Sequence, residues 1–278
     1  MKILVTGVGG QLGYDVVREL KEQNIQCLGT DRDTLDITDE QAVHQFISKY
    51  KPDAVIHCAA YTAVDKAEDD IENCRRVNVD ATRYIAEDCK KIDAKMVYIS
   101  TDYVFPGVGE DFYEVDSPKG PLNVYGQSKL DGELEVHKIL DKYFIVRISW
   151  VFGKNGNNFV KTMLRLAETH KELNIVGDQI GSPTYTYDLS KLLVDMVKSD
   201  KYGVYHATNE GVCSWAEFAQ EIFKLAGKNV IVHAIPSSEY PTKAKRPLNS
   251  RLSKEKLVKL GFTVLPDWKN AIKRYIKI

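Results

Sequence analysis

The chain of 278 residues predicts an α/β fold, a doubly wound parallel sheet with a smaller C-terminal lobe, on three observations. Short apolar runs alternate with longer amphipathic stretches through the first half, a glycine-rich turn follows the first run, and the alternation breaks down after Ser149. Strand-length runs separated by helix-length ones call for crossover connections, and crossovers build parallel sheets.

In chain order, the strand-length runs are Lys2–Thr6, Ile25–Thr30, Ala54–Cys58, Lys95–Ser100 and Phe144–Ser149. Between the first two, Leu12, Val16, Val17 and Leu20 recur at helical spacing within Gln11–Glu22. Thr38-Asp39-Glu40-Gln41 reads as a capping box ahead of Val43, Phe46 and Ile47. Asp70 to Lys91 is a longer amphipathic stretch, and Val124 to Leu140 is compatible with a helix. From Trp150 onward, clusters of Gly, Asn and Pro at 153–158 and 177–183 interrupt the rhythm. Helical runs at Asp188–Val197 and Ser214–Leu225 are joined there by long connections, and Asn158 stands as a cap ahead of Phe159, Met163 and Leu166.

Composition narrows the function classes. The 38 basic and 39 acidic residues leave a formal charge of -1, which lacks the footprint of a protein that binds nucleic acid or an anionic membrane. No run approaches the roughly 20 apolar residues of a membrane span. The chain enters directly into its first strand, so a cytoplasmic location is expected. Cys27, Cys58, Cys74, Cys89 and Cys213 are scattered without metal-ligand spacing, which predicts reduced thiols and neither a disulfide framework nor a zinc site.

The glycine turn carries the first functional signal. Gly7, Gly10 and Gly13 lie between a strand and a helix, with Gln11 and Leu12 opening that helix. Gly7 permits the tight turn, Gly10 lets backbone approach a pyrophosphate, and Gly13 lets the helix pack closely on the sheet. The helix N-terminus then offers free amides to the phosphates. Asp31, at the end of the second run, is placed to bind an adenosine ribose diol, while the neighbouring Arg32 suits a 2′-phosphate, so both NADH and NADPH stay open as the cofactor. Asp36 and Ile37 are placed to border the adenine, and Ala59, Ala60 and Tyr61 supply small residues where backbone meets the cofactor. This assigns residues 1–150 to a Rossmann-type dinucleotide domain and 151–278 mainly to a substrate lobe, with some chain returning to the first domain.

Tyr125 and Lys129 stand four residues apart, on one face of a helix. A tyrosine with a reference pKa of about 10 is a poor acid near neutrality, and a nearby ammonium is expected to favour its phenolate. Hydroxyls at the end of the fourth run, Ser100 and Thr101, are placed to steady charge on a substrate oxygen.

Together these features resemble the short-chain dehydrogenase/reductase superfamily, in its extended branch acting on nucleotide sugars. The stretches Ala59–Glu68, Ser100–Phe105, Arg147–Trp150, Gly181–Thr184 and Arg246–Ser250 narrow the resemblance to the dTDP-4-dehydrorhamnose reductase family. The resemblance implies reduction of the 4-keto group of dTDP-6-deoxy-L-lyxo-4-hexulose to dTDP-L-rhamnose. It also implies a triad of Thr101, Tyr125 and Lys129, with Asp102, Tyr103 and Trp150 facing the dTDP-sugar. Trp150 would give the deoxysugar's methyl group an apolar face. Arg246 and Arg251 offer guanidinium forks to the diphosphate, Arg246 being carried as a substrate contact.

Two departures stand out. Phe105-Pro106-Gly107 replaces an acidic residue that commonly follows the Phe, and the last segment, Trp268 to Ile278, contains no carboxylate for the magnesium ion described in some dimeric members. No metal ligand is therefore assigned, and a homodimer is left open. The competing readings are an epimerase or 4,6-dehydratase of the extended branch and a noncatalytic NADP-binding regulatory subunit. Asp102-Tyr103 after Thr101 leaves the dehydratase acid pair incomplete, and the intact Tyr125/Lys129 pair argues against a subunit without turnover.

Overall fold

The computed structural model describes residues 1–277, so Ile278 of the basic last segment lies outside the described residues. The first half runs β1 (Lys2–Thr6), α1 (Gln11–Glu22), β2 (Gln26–Thr30), α2 (Glu40–Tyr50), β3 (Ala54–His57), α3 (Val64–Ala67), α4 (Ile71–Arg75), α5 (Ala81–Lys91), β4 (Lys95–Thr101), α6 (Val124–Ile139) and β5 (Tyr143–Ile148). Shorter elements follow: β6 (Val151–Phe152), α7 (Phe159–Leu166), β7 (Glu172–Val176), β8 (Ile180–Gly181), β9 (Thr184–Tyr185), α8 (Thr186–Lys198) and β10 (Gly203–His206). The chain ends with β11 (Asn209–Glu210), β12 (Cys213–Ser214), α9 (Trp215–Leu225), β13 (Ile231–Ile235), β14 (Asn249–Ser250), α10 (Glu255–Lys259), β15 (Leu265–Asp267) and α11 (Trp268–Ile276).

Six strands form the main sheet in the order β10-β5-β4-β3-β1-β2, parallel at every pairing. Every residue of β3 is buried, whereas edge strand β2 alternates exposed and half-buried positions. Helices on both faces leave a central strand no polar side, so it reads as a continuous apolar run. One face packs Val16 and Leu20 of α1 against Leu189, Leu193 and Met196 of α8. The other packs Val43 and Ile47 of α2 with Ile85 of α5 and Val136 of α6. A separate cluster around Phe152, Met163, Phe218 and Trp268 forms the heart of the second lobe.

Several boundaries differ from expectation by a residue, which leaves Cys58 and Ser149 beyond their strands and brings Thr101 into β4. The capping box at Thr38 does not form. Asp39 caps α2 by accepting from Ala42 N at 3.0 Å, while the Thr38 hydroxyl donates to Asp36 at 2.7 Å in the preceding turn. A carboxylate caps the helix dipole well, and the local turn takes the hydroxyl first. The amphipathic stretch 70–91 is likewise not one helix, because a π-helical turn at Arg76–Asp80 separates α4 from α5. The wider turn points Asn78 inward, where its amide accepts from Tyr61 N at 2.8 Å and donates to Ser128 Oγ at 2.9 Å. All five cysteines are free. Among the described residues no helix is long and apolar enough to cross a membrane.

Candidate active site

A cleft of about 930 Å³ opens at the carboxyl ends of β1, β3 and β4, between the sheet and the second lobe. Open α/β sheets bind ligands at this edge, where helix N-termini and strand ends converge.

The glycine turn shapes one end. Gly7 has φ +72°, and a Cβ there would stand 2.7 Å from Ala59 Cα. A side chain on Gly13 would collide with the Gly7 carbonyl, so this glycine packs the helix on the turn itself rather than on the sheet. Gly10 is the N-cap of α1 and supplies no side-chain cap. Gln11 and Leu12 line the cleft in that first turn, as do Ala59, Ala60 and Tyr61 opposite. From the second lobe, Asn155 Nδ2 donates to Gly9 O at 2.8 Å, and Asn158 Nδ2 donates to Gln11 Oε1 at 3.0 Å. Asn158 also caps α7, accepting from Lys161 N at 3.0 Å.

Asp31, Arg32, Asp36 and Ile37 line the same end. The Asp31 carboxylate accepts from Thr34 N at 3.1 Å and Thr34 Oγ1 at 2.8 Å, which holds it below its usual range. Asp36 is lowered chiefly by its bonds from Thr38, with the charges of Arg32 and Arg76 adding to the effect. Arg76 also lines the cleft. Its position depends on the π-helical turn, which no local sequence pattern announced.

The other end holds the predicted pair. Asn123 caps α6, accepting from Gly126 N at 2.8 Å, and so fixes the helix that carries Tyr125 and Lys129. The two hydroxyls at the end of β4 part ways. Ser100 Oγ donates to Glu133 Oε1, whereas the Thr101 hydroxyl faces the Tyr125 phenol. Glu133 also takes Arg147 Nε at 2.8 Å and Nη2 at 2.7 Å, a buried bridge that ties α6 to β4 and β5.

Lys129 is 2% exposed, with Nζ 4.0 Å from the centre of the Tyr98 ring. Among the described residues no group hydrogen-bonds to that nitrogen, although it lines the cleft. Burial brings the ammonium down to about 7, against the opposing charge of Glu133. Tyr125 departs from expectation. Burial raises the phenol well above its ordinary range, and the neighbouring Thr101 hydroxyl opposes the rise. Tyr125 is half-buried in the cleft wall, and the cost of a poorly solvated phenolate governs it, with no lowering contribution from Lys129.

Beyond the triad lie Asp102 and Tyr103. Asp102 is buried and accepts from Thr101 Oγ1 at 2.9 Å and from Ser250 Oγ; burial pushes it up to about 6. Tyr103 packs edge-on against Tyr125 at 5.7 Å and is pushed up to about 12 by burial. Trp150 lines the cleft and stacks on Trp215 with ring centres 3.8 Å apart. Arg246 is not among the lining residues. Its Nη2 donates to Asp65 Oδ2 at 2.6 Å beside Tyr103, and Arg251 donates to Asn249 Oδ1 at 2.9 Å. At the departing loop, Gly107 accepts from Leu248 N and Asn249 N at 3.2 and 3.0 Å, which holds Phe105-Pro106-Gly107 against β14.

Sequence reasoning missed Arg76, Trp215 and Ser250. The Ser214/Glu217 capping box was a readable signal for α9, and it places Trp215 at the first helical position. The aim of that side chain at the cleft was not readable.

These residues suit a dinucleotide. The turn leaves no space for a Cβ at Gly7 or Gly13, the α1 N-terminus carries no side-chain cap, and a buried ammonium stands without a protein partner.

The family described as "RmlD substrate binding domain" matches residues 1–278. A dTDP-4-dehydrorhamnose reductase from Aggregatibacter actinomycetemcomitans is 40% identical over 98% of this chain and 97% of its own. The spore coat polysaccharide biosynthesis protein SpsK of Bacillus subtilis is 39% identical over 99% of this chain and 97% of its own. The structure of a dTDP-4-dehydrorhamnose reductase from Clostridium acetobutylicum superposes with a TM-score of 0.98 at 42% identity, covering 100% of this chain and 99% of that one. Its counterpart from Bacillus anthracis, in complex with NADP, gives 0.97 at 41% identity over 100% and 99% of the two chains.

Proposed function

The chain belongs to the RmlD substrate binding domain family, and we propose that it reduces the 4-keto group of dTDP-6-deoxy-L-lyxo-4-hexulose to give dTDP-L-rhamnose. The observation that carries this reading is the Thr101, Tyr125 and Lys129 constellation at one end of a cleft whose other end is a glycine turn on a helix N-terminus. Residues 1–150 serve mainly the dinucleotide and 151–278 mainly the sugar nucleotide, in the cytoplasm.

When bound, NADH or NADPH supplies the hydride that reaches C4 of the sugar. The chain's own residues manage the oxygen. A phenol raised by burial keeps its proton near neutrality, which is the state a reduction requires of its acid. Tyr125 delivers that proton to the C4 oxygen as negative charge develops, completing the alcohol. Thr101 has a single hydroxyl hydrogen, directed at Asp102. Rotation of the hydroxyl turns this hydrogen to the substrate oxygen, while Ser250 continues to satisfy the carboxylate. Lys129, whose Nζ has no hydrogen-bond partner among the described residues, is the donor for the nicotinamide ribose hydroxyls.

At the adenosine end, Thr34 occupies the Asp31 carboxylate while Arg32 and Arg76 line the cleft. Two guanidinium groups beside an engaged acid suit a 2′-phosphate, so NADPH is accepted along with NADH. The test mixes purified protein with freshly generated dTDP-6-deoxy-L-lyxo-4-hexulose and follows the absorbance of NADH and NADPH in parallel. Oxidation with formation of dTDP-L-rhamnose is the expected result. A protein that binds dinucleotide yet oxidises neither cofactor would overturn the assignment.

A further inference from the structure

Trp150 has φ +49°, a left-handed backbone that bulky residues rarely adopt. Such strain persists only where the surroundings over-determine it, and it concentrates at functional sites. The surroundings here are specific. Thr184 N donates to Trp150 O at 3.1 Å, and the Thr184 hydroxyl donates to Ser149 O at 2.6 Å, so β9 grips the backbone on both sides of the turn. The indole lies on Trp215 at 3.8 Å with 16° between the planes. Gly181 leaves room for it and for Ser250: a Cβ at that position would stand 3.0 Å from Trp150 Cε2, 3.1 Å from Cζ2 and 3.0 Å from Ser250 Cβ. Trp215 is itself backed by Phe159 at 4.6 Å, and both indoles line the cleft.

We propose that Trp215 is a positioning residue: stacked on Trp150, which Gly181 leaves room for, it holds that indole in its strained pose as the apolar wall of the sugar subsite. The ligand class is the 6-deoxy sugar of a nucleotide sugar, whose methyl group such a wall accepts. This inference rests on the reductase reading above. It gives the Gly181–Thr184 stretch a role that the triad alone leaves without one. Gly181 spares the indole and Thr184 anchors its backbone.

The test compares wild type with Trp215→Ala, Trp215→Phe and Gly181→Ala in steady-state reduction of the 4-keto sugar nucleotide by NADPH, with circular dichroism alongside. A stacked indole pair gives an exciton couplet, which Trp215→Ala abolishes. That variant raises KM for the sugar nucleotide about tenfold, while KM for NADPH stays within about twofold. Trp215→Phe keeps an aromatic platform and restores the sugar KM to within about threefold of wild type. Gly181→Ala presses on Trp150 and on Ser250 Cβ, so it raises the sugar KM like Trp215→Ala, a weakened couplet marks the indole as the group that moves, and the variant keeps the inference testable if Trp215→Ala does not fold. An unchanged sugar KM in folded Trp215→Ala or Gly181→Ala overturns the inference and leaves the reductase reading standing. Equal rises in both KM values also overturn it, since general damage would then explain the loss. A wild-type protein that binds NADPH and does not turn over overturns both.

Discussion

The two ends of the cleft are built from different materials. At the glycine turn the chain binds with backbone: Gly7 in the left-handed region, an α1 N-terminus without a side-chain cap and the small Ala59 opposite. At the other end the cleft is lined by side chains drawn from β4, α6 and α9, among them Thr101, Tyr125 and Trp215, with Ser250 of β14 bonded to Asp102. Backbone sites depend on the conformation of one short segment, so they tolerate little change within it. Side-chain sites depend on how distant elements pack, and each residue can be removed singly with a separable effect.

Substitutions should keep those two behaviours apart. The largest effect belongs to Tyr125→Phe, expected to lower kcat by roughly 10²- to 10⁴-fold as the acid is lost, with dinucleotide affinity from a binding titration unchanged. Loss of that affinity would show that the two ends are not separable. Next comes Gly7→Ala, which forces a Cβ into left-handed backbone and within 2.7 Å of Ala59. It should cost about 1–3 kcal/mol in denaturant unfolding and abolish dinucleotide binding. Gly9→Ala, with nothing within 4 Å of the added carbon, should leave both near wild type.

Lys129→Met sharpens the comparison because this side chain serves the boundary between the ends. Burial lowers Lys129 to about 7, from about 10.4 in an unfolded chain. Between those values the unfolded state holds the extra proton, so this group makes the dinucleotide-free protein more stable as pH rises through that window. Lys129→Met should remove that increment from the stability–pH curve and weaken dinucleotide binding about tenfold. A curve of unchanged slope would show that the ammonium is not paying a burial cost. The smallest effect is expected of Arg76→Ala, a roughly two- to fivefold rise in KM for NADPH with KM for NADH unaltered. Equal rises for both cofactors would remove Arg76 from a 2′-phosphate contact.

The same contrast explains what could be read from sequence. The strand rhythm and the glycine turn are local patterns, and they located five of the main sheet's strands to within a residue at each end, while β10 (Gly203–His206), which returns from the irregular second half, was not read. Tyr125 and Lys129 were legible because helical spacing alone puts them on one face. At the end of β4 the sequence offered Ser100 and Thr101 alike, and the buried Glu133 that claims Ser100 is distant in the chain. The raised phenol was misread for a related reason: spacing puts the two groups on one face but does not show that Lys129 is buried and the phenol withdrawn from solvent. Arg246 had the right charge for a diphosphate, yet Asp65, from a segment far off in sequence, takes its guanidinium.

Strand β10 also bears on how such an enzyme can be recombined. It pairs with β5 from Gly203↔Phe144 to His206↔Arg147, and α8 before it covers the apolar side of α1. A truncation at residue 150 would leave β5 as a bare edge and expose Val16 and Leu20, which favours aggregation over a folded fragment, and a crossover there would pair α1 and β5 with another parent's α8 and β10. Leaving residues 186–206 with the N-terminal parent, and grafting the pieces on either side of them, keeps both of those native interfaces in an exchange between relatives. The second lobe is thus two stretches of chain on either side of a helix and strand that belong to the main sheet.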